Sequence, residues 1–255
     1  MIRSNGIRFT IPSIESRSLF NSQLLAAIRR VVPSSLLRRL DPFEAAIHAF
    51  VGSVASTTPP RASVLDAGAG ECRFKSVFSH ARYVGVDFGQ GDPSWNYSRL
   101  DALARLEELP FADQAFDKVI SIVVLEHTAE PGRVMTEFRR VLAEGGTVHL
   151  VVPHMWEEHQ QPHDYFRFTS NGIRHLMRDA GFRVKRIEPV GGFFWMLSRR
   201  LIAVLSFAQQ GWRWVFFPVL APVFGVLLPL CCYYLDALDE DKSFTLGFIC
   251  EGSRE

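Results

Sequence analysis

Ser63-Val64-Leu65-Asp66-Ala67-Gly68-Ala69-Gly70-Glu71 is the stretch of sequence that decides the fold, and Tyr83-Val84-Gly85-Val86-Asp87 is its counterpart downstream. Each begins as a short apolar run that ends in an acid, which is typical of a buried parallel strand. Gly68 and Gly70 predict a tight turn after the first strand, because only glycine lets the backbone approach a ligand so closely. Asp87 ends the neighbouring strand, where a carboxylate can accept both hydroxyls of a ribose. The two runs therefore predict a nucleoside site on a parallel sheet.

The residues after the second glycine indicate which class of nucleoside cofactor binds. A dinucleotide loop continues as Gly-x-Gly-x-x-Gly or Ala, whose third small residue allows close packing of helix on strand. Here Arg73 stands at that position, and Glu71 lies where the pyrophosphate anion would sit. The loop thus disfavours a dinucleotide-dependent oxidoreductase and accepts a cofactor that carries an amino group.

Asp66-x-Gly68-x-Gly70 followed by the acid Asp87 resembles the class I S-adenosylmethionine-dependent methyltransferases, and five downstream motifs resemble their small-molecule "type 11" branch. The motifs occur in that family's order: Leu109-Pro110-Phe111, Phe116-Asp117, Leu125-Glu126-His127, Arg140-Val141-Leu142 and Gly145-Gly146. The resemblance covers Ala62 to about Val190. It implies an α/β fold, a Rossmann-like doubly wound seven-stranded sheet of order 3-2-1-4-5-7-6 whose last strand is antiparallel. It also implies S-adenosyl-L-methionine as the cofactor and a methyltransferase activity.

The resemblance also implies which residues bind the cofactor. They are Asp66, Gly68, Gly70, Asp87, Phe88, Asp101 and Ala102. In the family, an acid after the third strand receives the adenine amino group, and Asp101 fits that role, although it could equally cap the following segment. Phe88 follows the ribose acid and either flanks the adenine or packs in the core.

Groups that can carry protons crowd the loop after the predicted fifth strand, Thr147–Pro153. The loop contains His154, His159, His163 and Asp164, at the edge where such sheets bind ligands. An acceptor-orienting or general-base loop is one interpretation, and a structural loop whose histidines cap backbone groups is the other.

We expect the general base to be His163 or His159, with His127 third. It is needed only where the acceptor is a hydroxyl of high pKa. Histidines and acids can also bind metal, but these spacings match no closed tetrahedral pattern, so no metal is expected.

Charge is distributed unevenly along the 255 residues, although the net charge is only +1. Residues 1–40 hold seven arginines and one acid, and residues 193–235 hold three arginines and no acid, so the remainder is acidic. This pattern favours an anionic membrane surface as a peripheral partner, and no nucleic acid is expected. The four cysteines form no Cys-x-x-Cys pair and no secreted framework, and we expect no cleaved export signal, which together indicate the cytoplasm, including the cytoplasmic face of a membrane.

An apolar insertion separates the predicted sixth strand, Phe182–Glu188, from the one candidate for the seventh, Ser243–Cys250. Trp214–Leu235 contains 22 residues without a charge, which is long enough to cross a membrane, but three prolines oppose one straight span. A re-entrant or monotopic hairpin, a soluble lid or dimer surface, and a true span all stay open. In each case the insertion lies over the active site, because both strands meet the sheet edge that binds the cofactor.

The predicted organisation has four parts. They are an N-terminal basic helical arm (1–58), a methyltransferase core (59–192), the insertion (193–238) and the final core strand (239–255). Two short helices broken at Pro33 and a helix over Asp41–Val54 are predicted in the arm, and a helix near Cys72–Ser79 in the core. The expected function is methyl transfer, as O-methylation, to a small-molecule or lipid-linked acceptor. The alternative is a non-catalytic, membrane-associated nucleoside-binding module.

Overall fold

Seven strands form a single mixed sheet in the computed structural model, which describes residues 33–91, 94–209 and 211–255. The strands are β1 Ser63–Ala67, β2 Arg82–Asp87, β3 Ala102–Leu103, β4 Phe116–Ile122, β5 Leu142–Pro153, β6 Phe182–Val190 and β7 Gly247–Arg254. Their order is β3-β2-β1-β4-β5-β7-β6, and β7 pairs antiparallel with both of its neighbours while the other pairs are parallel. The predicted fold class and strand order are confirmed.

Helices cover both faces of this sheet. They are α1 Ser34–Leu40, α2 Pro42–Ser56, α3 Pro131–Val141, α4 Ser170–Asp179, α5 Phe193–Ala208, α6 Phe217–Pro222 and α7 Leu228–Leu235. Phe138 of α3 and Ile173 of α4 pack in one core cluster, and Ile47 and Phe50 of α2 pack in the other. Burying each such side chain contributes about 1.5–3 kcal/mol, so the strands between the two clusters are held from both faces.

The N-terminal segment is more closely joined to the core than the sequence division suggested. Asp41 caps α2, because its Oδ1 accepts a hydrogen bond from the Glu44 N–H at 3.2 Å, and Pro42 occupies the first helical position. Seven residues of α2 are buried, and the helix packs on the sheet. The first of the two predicted short helices lies outside the described residues, and the second is α1.

The connection from β1 to β2 differs from the predicted helix. Residues 71–80 form successive turns, in which Lys75 N–H donates to Cys72 O at 3.1 Å and Val77 N–H to Phe74 O at 2.9 Å. Cys72 has φ +55°, a left-handed conformation that an α-helix cannot include. The chain therefore leaves the glycine turn too sharply to continue as a helix.

The apolar insertion folds into a helical hairpin. Its first arm is α5, and its second arm is a continuous helical run over 211–238 that changes type four times. The run has 3₁₀ turns at Gly211–Phe216 and Asp236–Leu238 and a π-helical turn at Val223–Leu227. α7 packs against both α5 and α1. The chain then enters β7 at Gly247, four residues after the predicted start, because the Thr245 hydroxyl bonds Val190 O and Gly247 O ahead of the strand.

Buried Asp236 fastens the base of this hairpin. Its carboxylate accepts hydrogen bonds from the N–H groups of Gly192 and Trp195 at 3.0–3.1 Å, at the start of α5. Lys242 Nζ donates to the same carboxylate at 2.8 Å. The two ends of the insertion are therefore joined by one buried acid, 4% exposed.

We expect Asp236→Ala to lower the free energy of unfolding by about 2–4 kcal/mol, because it leaves two N–H groups without their acceptor and removes the charge that pairs with the Lys242 ammonium. Urea unfolding followed by circular dichroism measures the loss. Glu240→Ala, an exposed acid in the same connection, should stay within about 0.5 kcal/mol of the wild type. Equal stabilities for the two variants would contradict the role assigned to Asp236.

Candidate active site

A cavity of about 530 Å³ opens at the carboxyl edge of the parallel strands. The turn after β1 and the end of β2 form one wall, and the residues after β4 and β5 form the other. This is the edge at which doubly wound sheets bind their ligands. Of the predicted cofactor residues, Gly68, Gly70, Asp87 and Phe88 line it.

Gly68 sits where no side chain fits. Its φ is +84°, and a Cβ atom there would lie 2.4 Å from both methyl groups of Val124, the residue that precedes the turn after β4. A substitution would therefore push β1 and β4 apart before it reached the cofactor. From the sequence alone, the expected reason for a glycine here is a different one, namely that a side chain would occupy the space of the ligand.

The Asp87 carboxylate is held in position by the backbone. Its Oδ2 accepts a hydrogen bond from Gly70 N–H at 2.9 Å, and its Oδ1 accepts one from Gly89 N–H at 2.8 Å. Each carboxylate oxygen can accept a further hydrogen bond. The group thus faces the cavity with a fixed orientation and spare acceptor capacity, as binding of a ribose diol requires.

Asp66 does not line the cavity, in contrast to the prediction that it contacts the cofactor. It is 2% exposed, and the Tyr83 hydroxyl donates to its Oδ2 at 2.5 Å beneath the turns of 71–80. Burial raises the pKa of Asp66 to about 7. Asp66 therefore supports the glycine turn from behind.

Asp101 and Ala102 also lie away from the cavity lining. Asp101 Oδ2 accepts a hydrogen bond from Gly85 N–H at 2.8 Å, in the middle of β2, because Asp101 precedes β3 and does not end it. The acid that lines the cavity beyond β3 is Glu107, 8% exposed, with its Oε1 3.4 Å from an Arg105 nitrogen. Glu107 is therefore a second candidate for the acid that accepts the adenine amino group, beside Asp101.

Two aromatic rings border the cofactor side of the cavity. Phe88 is 41% exposed and does not pack in the core, and the Arg105 guanidinium lies 5.2 Å from its ring centre. Trp95 lies over the glycine turn, since a Cβ on Gly70 would be 3.3 Å from its ring. Both rings offer flat apolar surfaces for a purine. Sequence reasoning missed Trp95, which follows a polar loop.

The three candidate bases separate into two groups. His127 and His159 meet with their Nε2 atoms 3.1 Å apart, beside buried Glu126. Burial lowers the pKa of both histidines, that of His127 to about 4, and raises the pKa of Glu126 to about 8. His163 stands apart and lines the cavity, with its Nδ1 3.0 Å from the Tyr165 hydroxyl and its ring edge-on to Phe88.

Asp164 and Arg167 hold the loop that carries these histidines. The Arg167 guanidinium donates to both oxygens of Asp164, at 2.6 and 2.7 Å, and to Glu157 O at 2.6 Å. Asp164 also accepts from His159 N–H at 2.8 Å. Although burial opposes it, the Arg167 hydrogen bond lowers the pKa of the Asp164 carboxyl, so this acid stays charged. It therefore positions the loop and does not exchange protons.

Comparison with known proteins agrees with this geometry. Residues 65–150 match a family model described as a methyltransferase domain. A Mycolicibacterium gilvum protein named as a methyltransferase is 35% identical over 178 residues, which span 62% of this chain and 69% of that protein. A Mycobacterium leprae protein with a similar name is 28% identical over 183 residues, and the match spans 63% of this chain and 66% of the relative.

Two solved structures share the fold. The complex of the Haloferax volcanii Trm112 methyltransferase activator with a methyltransferase matches with a TM-score of 0.53 at 18% identity, covering 88% of this chain and 98% of that one. The cyclase SpnF matches with a TM-score of 0.52 at 19% identity, covering 80% of each chain. The sheet and the cavity define a class I nucleoside-binding α/β protein. With these relatives, the chain belongs to the S-adenosylmethionine-dependent methyltransferases, and S-adenosylmethionine is its cofactor.

We expect Glu107→Gln to weaken S-adenosylhomocysteine binding by roughly tenfold or more, since a charged acceptor for the adenine amine contributes about 1.5–3 kcal/mol. Isothermal titration calorimetry measures the change. Asp101→Asn is the matched control and should leave the affinity within about threefold of the wild type. A large loss of affinity in Asp101→Asn and none in Glu107→Gln would show that Asp101 is the acid that binds the adenine amino group.

Asp87→Asn should weaken binding of the same ligand by about 10–100-fold, because it removes the charge that strengthens both ribose hydrogen bonds. The amide keeps the shape of the carboxylate and one acceptor oxygen, so thermal unfolding should change little. An unchanged affinity would exclude Asp87 as the ribose acid.

Proposed function

We propose that the protein transfers the methyl group of S-adenosylmethionine to an oxygen of an amphipathic acceptor, either a small molecule or a lipid-linked intermediate, at the cytoplasmic face of a membrane. The observation that carries the proposal is a second, larger cavity that borders the first. Its volume is about 1270 Å³. Phe43, Trp156 and Arg199 line both cavities, so the two spaces meet at these residues.

The larger cavity is suited to an apolar chain. Its walls come from α1 and α2 on one side and from the insertion on the other, with Leu37, Trp195, Ile202 and Phe217 among the side chains that line it. An acceptor whose tail lay there would bring its polar end past Trp156 towards the cofactor. Arg199 stands at this junction, stacked on Trp156 and paired with Glu157.

The surface of the insertion supports contact with a membrane. Residues 211–238 form a helical run long and apolar enough to cross a bilayer, and only 11% of its most apolar window is buried. Exposed side chains along it include Trp212, Val215, Val219 and Leu227. A soluble monomer rarely exposes a contiguous apolar patch larger than a few hundred Å², so we expect lipid to cover these side chains. The hairpin form and the changes of helix type favour a monotopic insertion over one straight span.

Some of the described arginines already have partners within the protein. Arg199 and Arg200 both bind Glu157, and the Arg39 guanidinium lies 5.8 Å from the ring centre of Tyr234. Five of the seven N-terminal arginines lie outside the described residues. The exposed apolar side chains supply a part of the proposed contact with lipid that salt does not weaken.

Methyl transfer needs a reactive oxygen in line with the sulfonium methyl group. The acceptor hydroxyl loses its proton to His163, and its oxygen forms a bond to the methyl carbon while the carbon–sulfur bond breaks. S-adenosylhomocysteine then leaves as a neutral thioether. The chain's contribution is to position the two reactants and exclude water, with His163 as the general base.

The competing functions share the same fold and differ in the reaction. A fold that also occurs in a cyclase does not by itself establish methyl transfer, and a non-catalytic module would bind the cofactor without turnover. Incubating soluble and membrane extracts with labelled S-adenosylmethionine and the purified protein separates these functions. A labelled, extractable lipid or small molecule supports the proposal, and the absence of any labelled product in both extracts counts against it.

We expect His163→Ala to lower kcat by about 10²–10⁴, the usual cost of losing a general base, with the affinity for S-adenosylhomocysteine nearly unchanged. Single-turnover kinetics with the labelled acceptor measures the rate. His175→Ala, an exposed histidine on α4 paired with Asp179, is the control and should keep wild-type turnover. Wild-type turnover in His163→Ala would mean that the base lies elsewhere or is not needed.

The protein should pellet with liposomes at both low and high salt, and Leu227→Asp should weaken this binding by at least about tenfold, because it removes apolar contact from the hairpin. Liposome co-sedimentation measures the affinity. Leu103→Asp is the control, because it introduces the same charge at an exposed position outside the insertion, and this variant should bind liposomes as the wild type does. A monodisperse, detergent-free monomer that ignores liposomes would refute membrane association and favour a soluble acceptor.

A further inference from the structure

Three Lewis-basic side chains converge beside the cavity, and one of them, His127, lines it. Glu126 and His127 lie in the 3₁₀ turn after β4, and His159 lies in the loop after β5. The loop is tied to the turn because the N–H groups of Tyr165 and Phe166 both donate to Glu126 O, at 2.8 and 3.2 Å. The topology therefore brings together groups that are far apart in sequence.

The Glu126 carboxylate is fully buried and lacks a partner. It is 0% exposed, and neither of its oxygens has a hydrogen-bond partner in the part of the chain that the structure describes. The nearest histidine nitrogens are 3.7 and 4.0 Å from its Oε1, which is beyond hydrogen-bonding distance. An unpartnered buried carboxyl is costly, so its retention indicates a ligand.

The hydrogen bonds of the two imidazoles fix which nitrogens carry hydrogen. His127 Nδ1 lies 2.6 Å from His163 O, and His159 Nδ1 lies 3.1 Å from Glu157 O. A carbonyl oxygen only accepts, so both Nδ1 atoms donate, and the neutral rings leave lone pairs on both Nε2 atoms. Those Nε2 atoms are 3.1 Å apart. Two lone pairs and a carboxylate that face one another form a donor set that a bound cation would complete.

The spacing of the three atoms fits a metal ion. Their separations are 3.1 Å between the two Nε2 atoms, and 3.7 and 4.0 Å from Glu126 Oε1 to those of His127 and His159. A circle through three points with these separations has a radius of about 2.1 Å, the length of a zinc–nitrogen or zinc–oxygen bond. The donors therefore already surround a point at bonding distance from each.

We propose that Glu126, His127 and His159 bind one divalent first-row transition-metal ion beside the cavity wall that the residues after β4 and β5 form. Two imidazoles and one carboxylate form a donor set that suits such ions and leaves coordination positions open. The backbone carbonyls that hold both Nδ1–H groups are the usual outer partners of metal-binding histidines. His127 lines the cavity, so the site borders it.

This site revises two expectations from the sequence. The spacing of the loop histidines alone matched no metal pattern, because the ligands come from two separate segments. Histidines that bind a metal ion cannot also act as the general base, so His163 is the one candidate base that remains of the three. If the proposed methyl transfer to oxygen is correct, the ion would hold the acceptor oxygen and lower its pKa, and this part alone depends on the proposed function.

Metal titration of the full-length protein tests the site directly. Protein stripped with a chelator is titrated with Zn²⁺ by calorimetry, and separately with Co²⁺ while its visible absorption is recorded. The wild type should bind one equivalent and show the absorption bands of Co²⁺ with mixed nitrogen and oxygen ligands. Glu126→Gln and His159→Ala should each weaken binding by at least about 100-fold, since outer-partner losses alone cost 10–100-fold.

His163→Ala is the matched control, because it removes the nearest histidine side chain outside the cluster and should keep wild-type metal affinity. Circular dichroism melting checks that each variant folds. If Glu126→Gln does not fold, the metal affinity of His159→Ala, which changes a partly exposed loop, tests the site by itself. Only traces of metal on the wild type, or wild-type affinity in both ligand variants, would overturn the site. Stoichiometric metal without methyl turnover would count against the proposed function alone.

Discussion

The close approach of Gly68 to Val124 is the constraint on which the rest of the site depends. It allows the turn after β1 to pack directly on the end of β4, with no side chain between them. Asp87 is then bonded to Gly70 from the adjacent strand, and Glu126 and His127 follow Val124 on the other side. Both walls of the cofactor cavity are thus positioned by one contact between a glycine and a β-branched residue.

Two buried acids at this edge have contrasting surroundings. Asp66 has the Tyr83 hydroxyl as its partner and serves the turn from behind. Glu126 is buried as deeply and has no such partner among the described residues, although its backbone carbonyl accepts hydrogen bonds from the histidine loop. Burial raises the pKa of both carboxyls, and only a positive ion beside Glu126 would let that group carry its charge without a large desolvation cost.

The insertion connects the reaction site with an apolar surface. Asp236 closes its base, so the hairpin is a fixed part of the fold and not a loose appendage. Its inner face completes the cavity that meets the cofactor site at Trp156, and its outer face exposes the side chains that a bilayer would cover. The amphipathic acceptor that we propose would place its apolar part in this cavity and its polar end at the cofactor site.

The sequence by itself determined the sheet order, the glycine turn, the place of Asp87 at the end of β2 and the presence of an apolar insertion, because these depend on local patterns and on motifs in a fixed order. It did not show that Glu107 lines the cavity and Asp101 does not, since a two-residue strand such as β3 leaves too weak a pattern to show where it ends. Only the tertiary structure decided that Asp66 lies behind the turn, that Arg199 and Arg200 are paired with Glu157, and that His159 meets Glu126 and His127. These facts depend on contacts between segments distant in the chain, which no spacing along the sequence records.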